Sequence, residues 1–377
     1  MKEEIVINVI KKENNRKNLN EITIIRAIAC LSVVLLHSIK FEVGFTYTGE
    51  GEIDFLLLTI AGLLAFGTPV FVFISELLLA YSYPEKLPKG FYKKRIKLIL
   101  IPFLSMGIFY AILYNIGNLS EIPMAAFRNM LIGDYHGWFV LVIFQFYLLH
   151  HLLIKFNPNL PAKFFILIAL FINLLYLGFF NFIKPSVDSG IIAYIWGSGY
   201  VKPLLGWLFY FAIAYYFGKN YELVIGYLEK FRKWLYIALF LSLAVVIYND
   251  LYFDFGFGSK RVDMIFFTIS LVLILVLKFY KVKKVPSILV TISQYSFGIY
   301  LVHYFYLEVI KKAIKVSGVS LGNINIPIYF IGSLIGSIIT IYIINKIKFG
   351  KYIVGRINVR STASKVSFPP NSRNLIS

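Results

Sequence analysis

An arginine and a histidine share one face of the first long apolar segment, which runs from Ile22 to Lys40. Arg26 and His37 are eleven residues apart, and at about 100° per residue this spacing is roughly 20° from a whole number of helical turns. At about 1.5 Å per residue the two side chains lie roughly 16 Å apart along the axis. Because burial of a guanidinium and an imidazole in a bilayer is costly, this face is expected to line a protein-facing or aqueous path.

Two further side chains are expected at the depths of this pair. If the apolar segments cross a membrane in alternation, Glu76 of the second segment lies near the depth of Arg26, and His303 of the ninth lies near that of His37. Histidine is the usual group for proton transfer near neutral pH, so His37 and His303 are candidate catalytic residues. The alternative for a histidine is an ordinary hydrogen bond between helices. The alternative for Arg26 and Glu76 is a buried ion pair that fixes helix packing.

The ninth and the fourth apolar segments also carry polar or aromatic residues that could form part of a site. One face of the ninth segment carries a stripe at helical spacing of three to four, formed by Ser293, Ser296, Tyr300 and His303. His136 and Trp138 open the fourth segment at its predicted outer end. They could form a rim for a sugar, because aromatic faces stack on pyranose rings, or Trp138 could belong to the usual aromatic belt of a membrane protein.

A basic run precedes the third segment, with Lys93, Lys94 and Arg95 at its predicted cytoplasmic entrance. Such a run suits a phosphorylated ligand, although it is also typical of a topology signal. No metal site is predicted, because the histidines are dispersed and no carboxylate within a span lies at the depth of His37. The single cysteine, Cys30, excludes a disulfide framework and a cysteine-based metal site.

The composition indicates a polytopic membrane protein. Of the 377 residues 59% are hydrophobic and the mean hydropathy is +0.75, whereas soluble domains are about 45–50% apolar. A net charge of +19 would suggest a nucleic-acid partner in a soluble protein, but here the basic residues alternate between loops. The positive charge is therefore interpreted as a signal of membrane topology, and no nucleic-acid partner is predicted.

The sequence predicts an all-α integral membrane protein with about ten transmembrane helices. Gly67-Thr68-Pro69 should kink or break the second of them. The predicted spans are approximately 22–40, 55–82, 96–117, 137–155, 163–183, 203–218, 234–250, 264–280, 287–310 and 326–347.

The positive-inside rule places both termini in the cytoplasm of a multi-pass protein of the plasma membrane. Basic residues are dense in the N-terminal arm, the second loop and the tail, whereas the first loop is acidic. The predicted organisation is a cytoplasmic arm over 1–20, a ten-helix membrane domain over 21–348 and a flexible cytoplasmic tail over 349–377.

An ordered set of motifs resembles the acyltransferase 3 family of integral-membrane acyltransferases. The motifs run from about residue 20 to 345 and are the Arg-x10-His pattern of Arg26 and His37, FVFISELLL, KKRIKLILIPF, GWFVLVIFQFY and SQYSFGIYLVH. Within the family the chain is similar to the membrane proteins of intercellular-adhesion polysaccharide loci, which are associated with poly-N-acetylglucosamine. Ten spans are the architecture of this family.

The resemblance implies transfer of an acyl group, usually acetyl from acetyl-CoA, to a carbohydrate hydroxyl on the far side of the membrane. Its partners would be acyl-CoA, the carbohydrate acceptor, the lipid bilayer and a glycosyltransferase of the same pathway. The pantetheine arm could span the distance from Arg26 to His37. The implied cofactor-binding residues are Arg26, Glu76, Lys93, Lys94 and Arg95.

The resemblance also implies roles at the outer end. His37 would deprotonate the acceptor hydroxyl or carry the acyl group transiently, and both mechanisms stay open. His303, Ser296 and Tyr300 would orient the base or the acceptor, and His136 and Trp138 would bind the sugar. The acyl group (acetyl or succinyl), the glycan and its hydroxyl stay open. The main alternative is an exporter of a poly-N-acetylglucosamine-type polysaccharide, and a third possibility is a non-catalytic partner of a glycosyltransferase.

Overall fold

The fold is a bundle of helices, seen in a computed structural model that describes residues 19–46, 55–157, 159–185, 189–253, 258–318 and 321–357. Every regular element in these ranges is helical, which confirms the all-α prediction. Residues 1–18 and 358–377, which make up most of the predicted arm and tail, lie outside the described residues.

The α-helices of the described ranges are numbered in chain order. A π-helical turn, Ile96–Leu100, joins the fourth helix to the fifth, and a second, Ile195–Gly199, follows the ninth. The helices are α1 Asn20–Thr46, α2 Phe55–Leu64, α3 Gly67–Ser82, α4 Phe91–Arg95, α5 Ile101–Tyr114, α6 Ile122–Ile132, α7 Phe139–Phe156, α8 Ala162–Phe182, α9 Gly190–Tyr194, α10 Leu208–Lys219, α11 Tyr221–Lys230, α12 Arg232–Tyr252, α13 Met264–Phe279, α14 Ser287–Ser317 and α15 Asn325–Lys346.

Eight helical segments of the described chain are long and apolar enough to cross a membrane. The predicted spans 203–218 and 264–280 form the shorter helices α10, of 12 residues, and α13, of 16 residues. The eight long apolar segments are Asn20–Gly44, Leu56–Ser82, Phe91–Tyr114, Leu119–Phe156, Ala162–Phe182, Arg232–Tyr252, Ser287–Ser317 and Gly322–Lys346. The chain is an integral membrane protein.

Helix α1 is the centre of the bundle and packs against α2, α3, α13, α14 and α15. The predicted break in the second span is confirmed, because α2 ends at Leu64 and α3 begins at Gly67. A Cβ atom at Gly67 would lie 2.8 Å from the Ala29 carbonyl oxygen and from a Val33 methyl group. The glycine therefore lets α3 lie directly against the helix that carries Arg26 and His37.

The two ends of the bundle are named from α1. The near end is the end at which α1 begins, and the far end is the end at which α1 stops. At the far end Arg261 is buried and paired with Asp250 of α12 and with Asp263, whose Oδ2 lies 2.6 Å from the guanidinium. This network joins α12 to the start of α13.

Candidate active site

Three histidines from distant parts of the chain meet toward the far end. His37 comes from α1, His303 from α14 and His136 from the 3-10 turn before α7. The ring centroid of His303 lies 5.4 Å from that of His37 and 5.6 Å from that of His136. The sequence predicted a shared depth for His37 and His303 but placed His136 on an outer rim, whereas the structure brings it into the same cluster.

Local backbone geometry delivers His136 into the bundle. Gly133 ends α6 in the left-handed region, with φ of 61°, a conformation that favours glycine. A Cβ atom at this position would also lie 2.9 Å from Cα of Trp138. The sharp turn brings residues 135–138 back between α5 and α14.

Backbone carbonyls fix the protons on two of the histidines. Nδ1 of His303 donates to the Ile299 carbonyl oxygen at 2.8 Å, and Nε2 of His136 donates to that of Leu301 at 3.1 Å. Because a carbonyl oxygen only accepts, each neutral ring keeps its lone pair on the other nitrogen. For His303 that atom is Nε2, which is buried and has no hydrogen-bond partner among the described residues.

Two tyrosines that the sequence reasoning missed complete the cluster. The hydroxyl of Tyr304 lies 3.0 Å from Nδ1 of His37, and its ring stacks on His136 with centroids 4.4 Å apart and planes 10° from parallel. The ring of Tyr110 stands edge-on to His136 at 4.5 Å. Tyr304 follows His303 directly in the chain, so its position next to the polar stripe was the available signal.

Tyr300 and Ser296 of the predicted stripe lie between the histidines and a cavity. The hydroxyl of Tyr300 donates to the His136 carbonyl oxygen and accepts from the Phe139 amide at 3.3 Å. Ser296 donates to the Ser293 carbonyl oxygen at 3.0 Å. Both Tyr300 and Ser296 line a cavity of about 560 Å³.

This cavity begins at the near end, where basic side chains line its mouth. Arg26, Lys94 and Arg95 contribute to its wall, and the guanidinium of Arg95 lies 5.0 Å from the centre of the Phe91 ring. Arg26 forms no ion pair with a carboxylate of the described chain and reaches into the cavity. None of the three histidines lines the cavity, so Tyr300 is the residue at which the cavity and the histidine cluster meet.

Three further predicted residues do not line this cavity. Lys93 lines a separate near-end cavity of about 460 Å³. Trp138 packs beside Trp207, with ring centroids 5.9 Å apart. Glu76 is fully enclosed between α3 and α7.

The alternative of a buried ion pair between Arg26 and Glu76 is wrong, because Glu76 pairs with His150. Oε1 of Glu76 lies 2.7 Å from Nδ1 of His150, and Nε2 of His150 donates to the Tyr83 carbonyl oxygen at 3.1 Å. Glu76 points from α3 toward α7 and not toward α1. His150 is also fully buried.

Within the described ranges no group of three or more histidine, cysteine, aspartate or glutamate side chains could hold a metal ion. Two histidines of the cluster each direct one nitrogen at a backbone carbonyl, which leaves the lone pair of the other nitrogen able to accept a proton. The arrangement can hold an anionic ligand at the near end and exchange a proton toward the far end.

Several known proteins are similar in sequence to this chain over most of its length. A membrane-bound acyltransferase of Bacillus subtilis (strain 168), provisionally named YfiQ, is 35% identical over 349 residues, covering 90% of this chain and 95% of that protein. A Staphylococcus aureus (strain MSSA476) protein, provisionally named a poly-β-1,6-N-acetyl-D-glucosamine export protein, is 29% identical over 299 residues, covering 76% and 82%. A Staphylococcus epidermidis protein with the same provisional name is 28% identical over 305 residues, covering 78% and 82%.

No solved structure is a significant match to the chain. The family model of the acyltransferase domain called acyltransferase 3 matches residues 19–345. That range includes α1, the histidine cluster and most of the residues that line the cavity. The chain therefore belongs to the acyltransferase 3 family of membrane proteins.

Proposed function

We propose that the protein is an O-acyltransferase of the plasma membrane that moves an acyl group, such as acetyl, from acyl-CoA to a hydroxyl of an extracytoplasmic glycan. The observation that carries the proposal is the cavity of about 560 Å³, because it runs from a basic mouth to Tyr300 beside the histidine cluster. Its volume lies in the range of about 300–1,000 Å³ that is usual for small-molecule sites. The basic near end is the cytoplasmic end in this proposal.

The donor is held through its phosphates. Arg26, Lys94 and Arg95 offer three cations at the mouth, and a guanidinium matches phosphate geometry with paired hydrogen bonds. The wall also contains apolar side chains, Val33, Phe71 and Ile143 among them, which suit the narrow pantetheine arm. The thioester would then lie near Tyr300.

His37 is the residue that we assign to the acceptor hydroxyl. It is partly exposed, whereas His303 is fully buried, so a ligand reaches His37 first. When Nδ1 of His37 donates to the oxygen of Tyr304, Nε2 carries the lone pair and can accept a proton. In that arrangement Tyr304 would orient the ring of His37 for reaction at Nε2, and His303 would position the ring.

Transfer then proceeds in one of two ways. In the first, Nε2 of His37 takes the hydroxyl proton while the acceptor oxygen bonds to the thioester carbon, the carbon–sulfur bond breaks, and the thiolate leaves and is protonated. In the second, His37 itself attacks the thioester carbon, the carbon–sulfur bond breaks, and CoA leaves as a thiolate that is then protonated. The acceptor hydroxyl next attacks the acyl carbon, the carbon–nitrogen bond to His37 breaks, and the released imidazole takes up the hydroxyl proton. Both routes give an ester and free CoA.

Polysaccharide export is the second candidate, and it is favoured by the names of the staphylococcal relatives. A polymer needs a continuous polar path through the bundle. The cavity reaches Tyr300, whose hydroxyl is bound to the His136 backbone. This arrangement supports a single bound donor better than a moving chain.

The test measures O-acyl groups on the surface glycan by NMR and mass spectrometry. The strains are wild type, a deletion, and the deletion complemented with wild type or with His37→Ala. We expect acyl groups to disappear in the deletion and in the His37→Ala strain while polymer still reaches the surface. An unchanged acyl content per sugar with less surface polymer would instead establish the exporter.

A further inference from the structure

The far end carries a surface of aromatic rings and lysines that the proposed reaction does not use. We name it the far-end platform, and it consists of Tyr194, Trp196, Tyr200, Lys202 and Lys260. Nζ of Lys202 donates to the Tyr194 hydroxyl at 2.7 Å and lies 4.9 Å from the centre of that ring. Nζ of Lys260 donates to the Gly197 carbonyl oxygen at 3.1 Å and lies 5.4 Å from the centre of the Tyr200 ring.

The platform has more positive than negative charge. Within the described ranges Lys202 has one carboxylate neighbour, Asp134, at 3.8 Å, and the Lys202 side chain is only 12% exposed. No described carboxylate pairs with Lys260. Burial, and repulsion from Lys202, lower the pKa of Lys260 to about 8. Two partly desolvated ammonium groups that repel each other are stabilised when an anion binds.

Its aromatic rings are held rigidly. Nε1 of Trp196 donates to the Ile183 carbonyl oxygen at 2.8 Å, and the Trp196 ring contacts Phe180 at a centroid distance of 5.0 Å. Phe180 in turn stacks on Tyr200 at 4.7 Å. Tyr200 is buried, whereas Tyr194 and Trp196 are half-buried and are the rings that a pyranose can reach. Because these rings are fixed, little conformational freedom is lost on binding.

The platform borders the histidine cluster. Asp134, the partner of Lys202, precedes His136 by two residues. Gln145 of α7 donates to the Lys202 carbonyl oxygen at 2.8 Å and accepts from the Leu204 amide at 2.9 Å. A saccharide that lies on the platform is therefore next to the segment that carries His136.

We propose that the far-end platform binds an anionic saccharide, with the sugar against its aromatic rings and a carboxylate or phosphate at Lys202 and Lys260. The inference rests on the proposed function in taking this saccharide to be the acceptor. It differs from a poly-N-acetylglucosamine acceptor, because that polymer has no acidic group.

Binding to the full-length protein in nanodiscs tests the proposal without requiring turnover. The probes are a hyaluronan hexasaccharide (carboxylate), N-acetylglucosamine 1-phosphate (phosphate) and chitohexaose (neutral). We expect at least one anionic probe to bind about tenfold more tightly than chitohexaose, and Lys260→Met to weaken it about tenfold. Lys260→Arg should retain the affinity, and the control Lys315→Met, at an exposed position near the end of α14, should leave it unchanged.

Equal affinity for chitohexaose, or full affinity in Lys260→Met, would overturn the platform proposal. The anionic probe that binds identifies the source of the anion. CoA binding to the same nanodiscs separates the two proposals, because Lys260→Met should keep it. A wild-type protein that binds the anionic saccharide but not CoA would refute the donor site and leave the platform standing.

Discussion

Arg26 offers the sharpest test of the donor site, because the two possible roles of this side chain predict opposite results. It lines the cavity and forms no ion pair within the described chain. In Arg26→Met the charge is lost while a straight apolar stem is kept, so packing against α3 and α14 changes little. A binding role predicts a loss of ligand affinity, whereas a structural role predicts a loss of stability.

The expected magnitudes follow from these surroundings. A hydrogen bond to a charged group contributes about 1.5–3 kcal/mol, and each 1.4 kcal/mol corresponds to about a tenfold change in affinity. Arg26→Met should therefore weaken CoA binding about ten- to hundredfold. Since no buried carboxylate loses a partner, the free energy of unfolding should change by only about 0.5 kcal/mol.

Arg261 is the matched control, because it is a buried arginine that does have carboxylate partners. Arg261→Met leaves Asp250 and Asp263 without their cation, which should cost about 3–5 kcal/mol of stability. CoA affinity of the folded fraction should stay unchanged. Calorimetric titration with CoA and thermal unfolding provide the two readouts, and unaltered CoA affinity in Arg26→Met would refute the donor-site reasoning.

Three further predictions concern the site and its support. Tyr304→Phe keeps the ring on His136 but removes the hydroxyl that orients His37, so kcat should fall about tenfold with little change in the KM for CoA; an unchanged kcat would contradict the proposed orientation of His37 by Tyr304. His150→Ala leaves Glu76 buried without its partner and should lower the free energy of unfolding by about 3 kcal/mol; thermal stability equal to wild type would argue against the pair. Gly218→Ala places a methyl group against the Leu77 carbonyl oxygen and should destabilise by about 1–3 kcal/mol, which thermal unfolding measures.

Hydropathy and helical periodicity were sufficient to predict the membrane-embedded helical bundle. The spacing of Arg26 and His37 indicated one shared face, and alternation of the spans placed His303 at the depth of His37. These inferences depend on local periodicity and on depth alone. Periodicity and depth can both be estimated from the order of apolar and polar residues along the chain.

Rotation of a helix about its axis could not be predicted in the same way. Glu76 was given the depth of Arg26, but the face of α3 on which it lies is set by how α3 packs on α7 and α10. His150 contacts Glu76 from α7, and the sequence does not reveal which face of α7 is turned toward α3. His136 reaches the cluster through the turn at Gly133, a tertiary feature that hydropathy does not report.

Transfer across a bilayer tests the central claim most directly. Protein in liposomes is supplied with radiolabelled acetyl-CoA on one side only, and label is measured on a saccharide acceptor confined to the other side. The account predicts labelled acceptor with wild-type protein, and none with His37→Ala even though CoA binding is retained. Label on the acceptor at the wild-type rate in His37→Ala, or transfer only when donor and acceptor share a side, would contradict it.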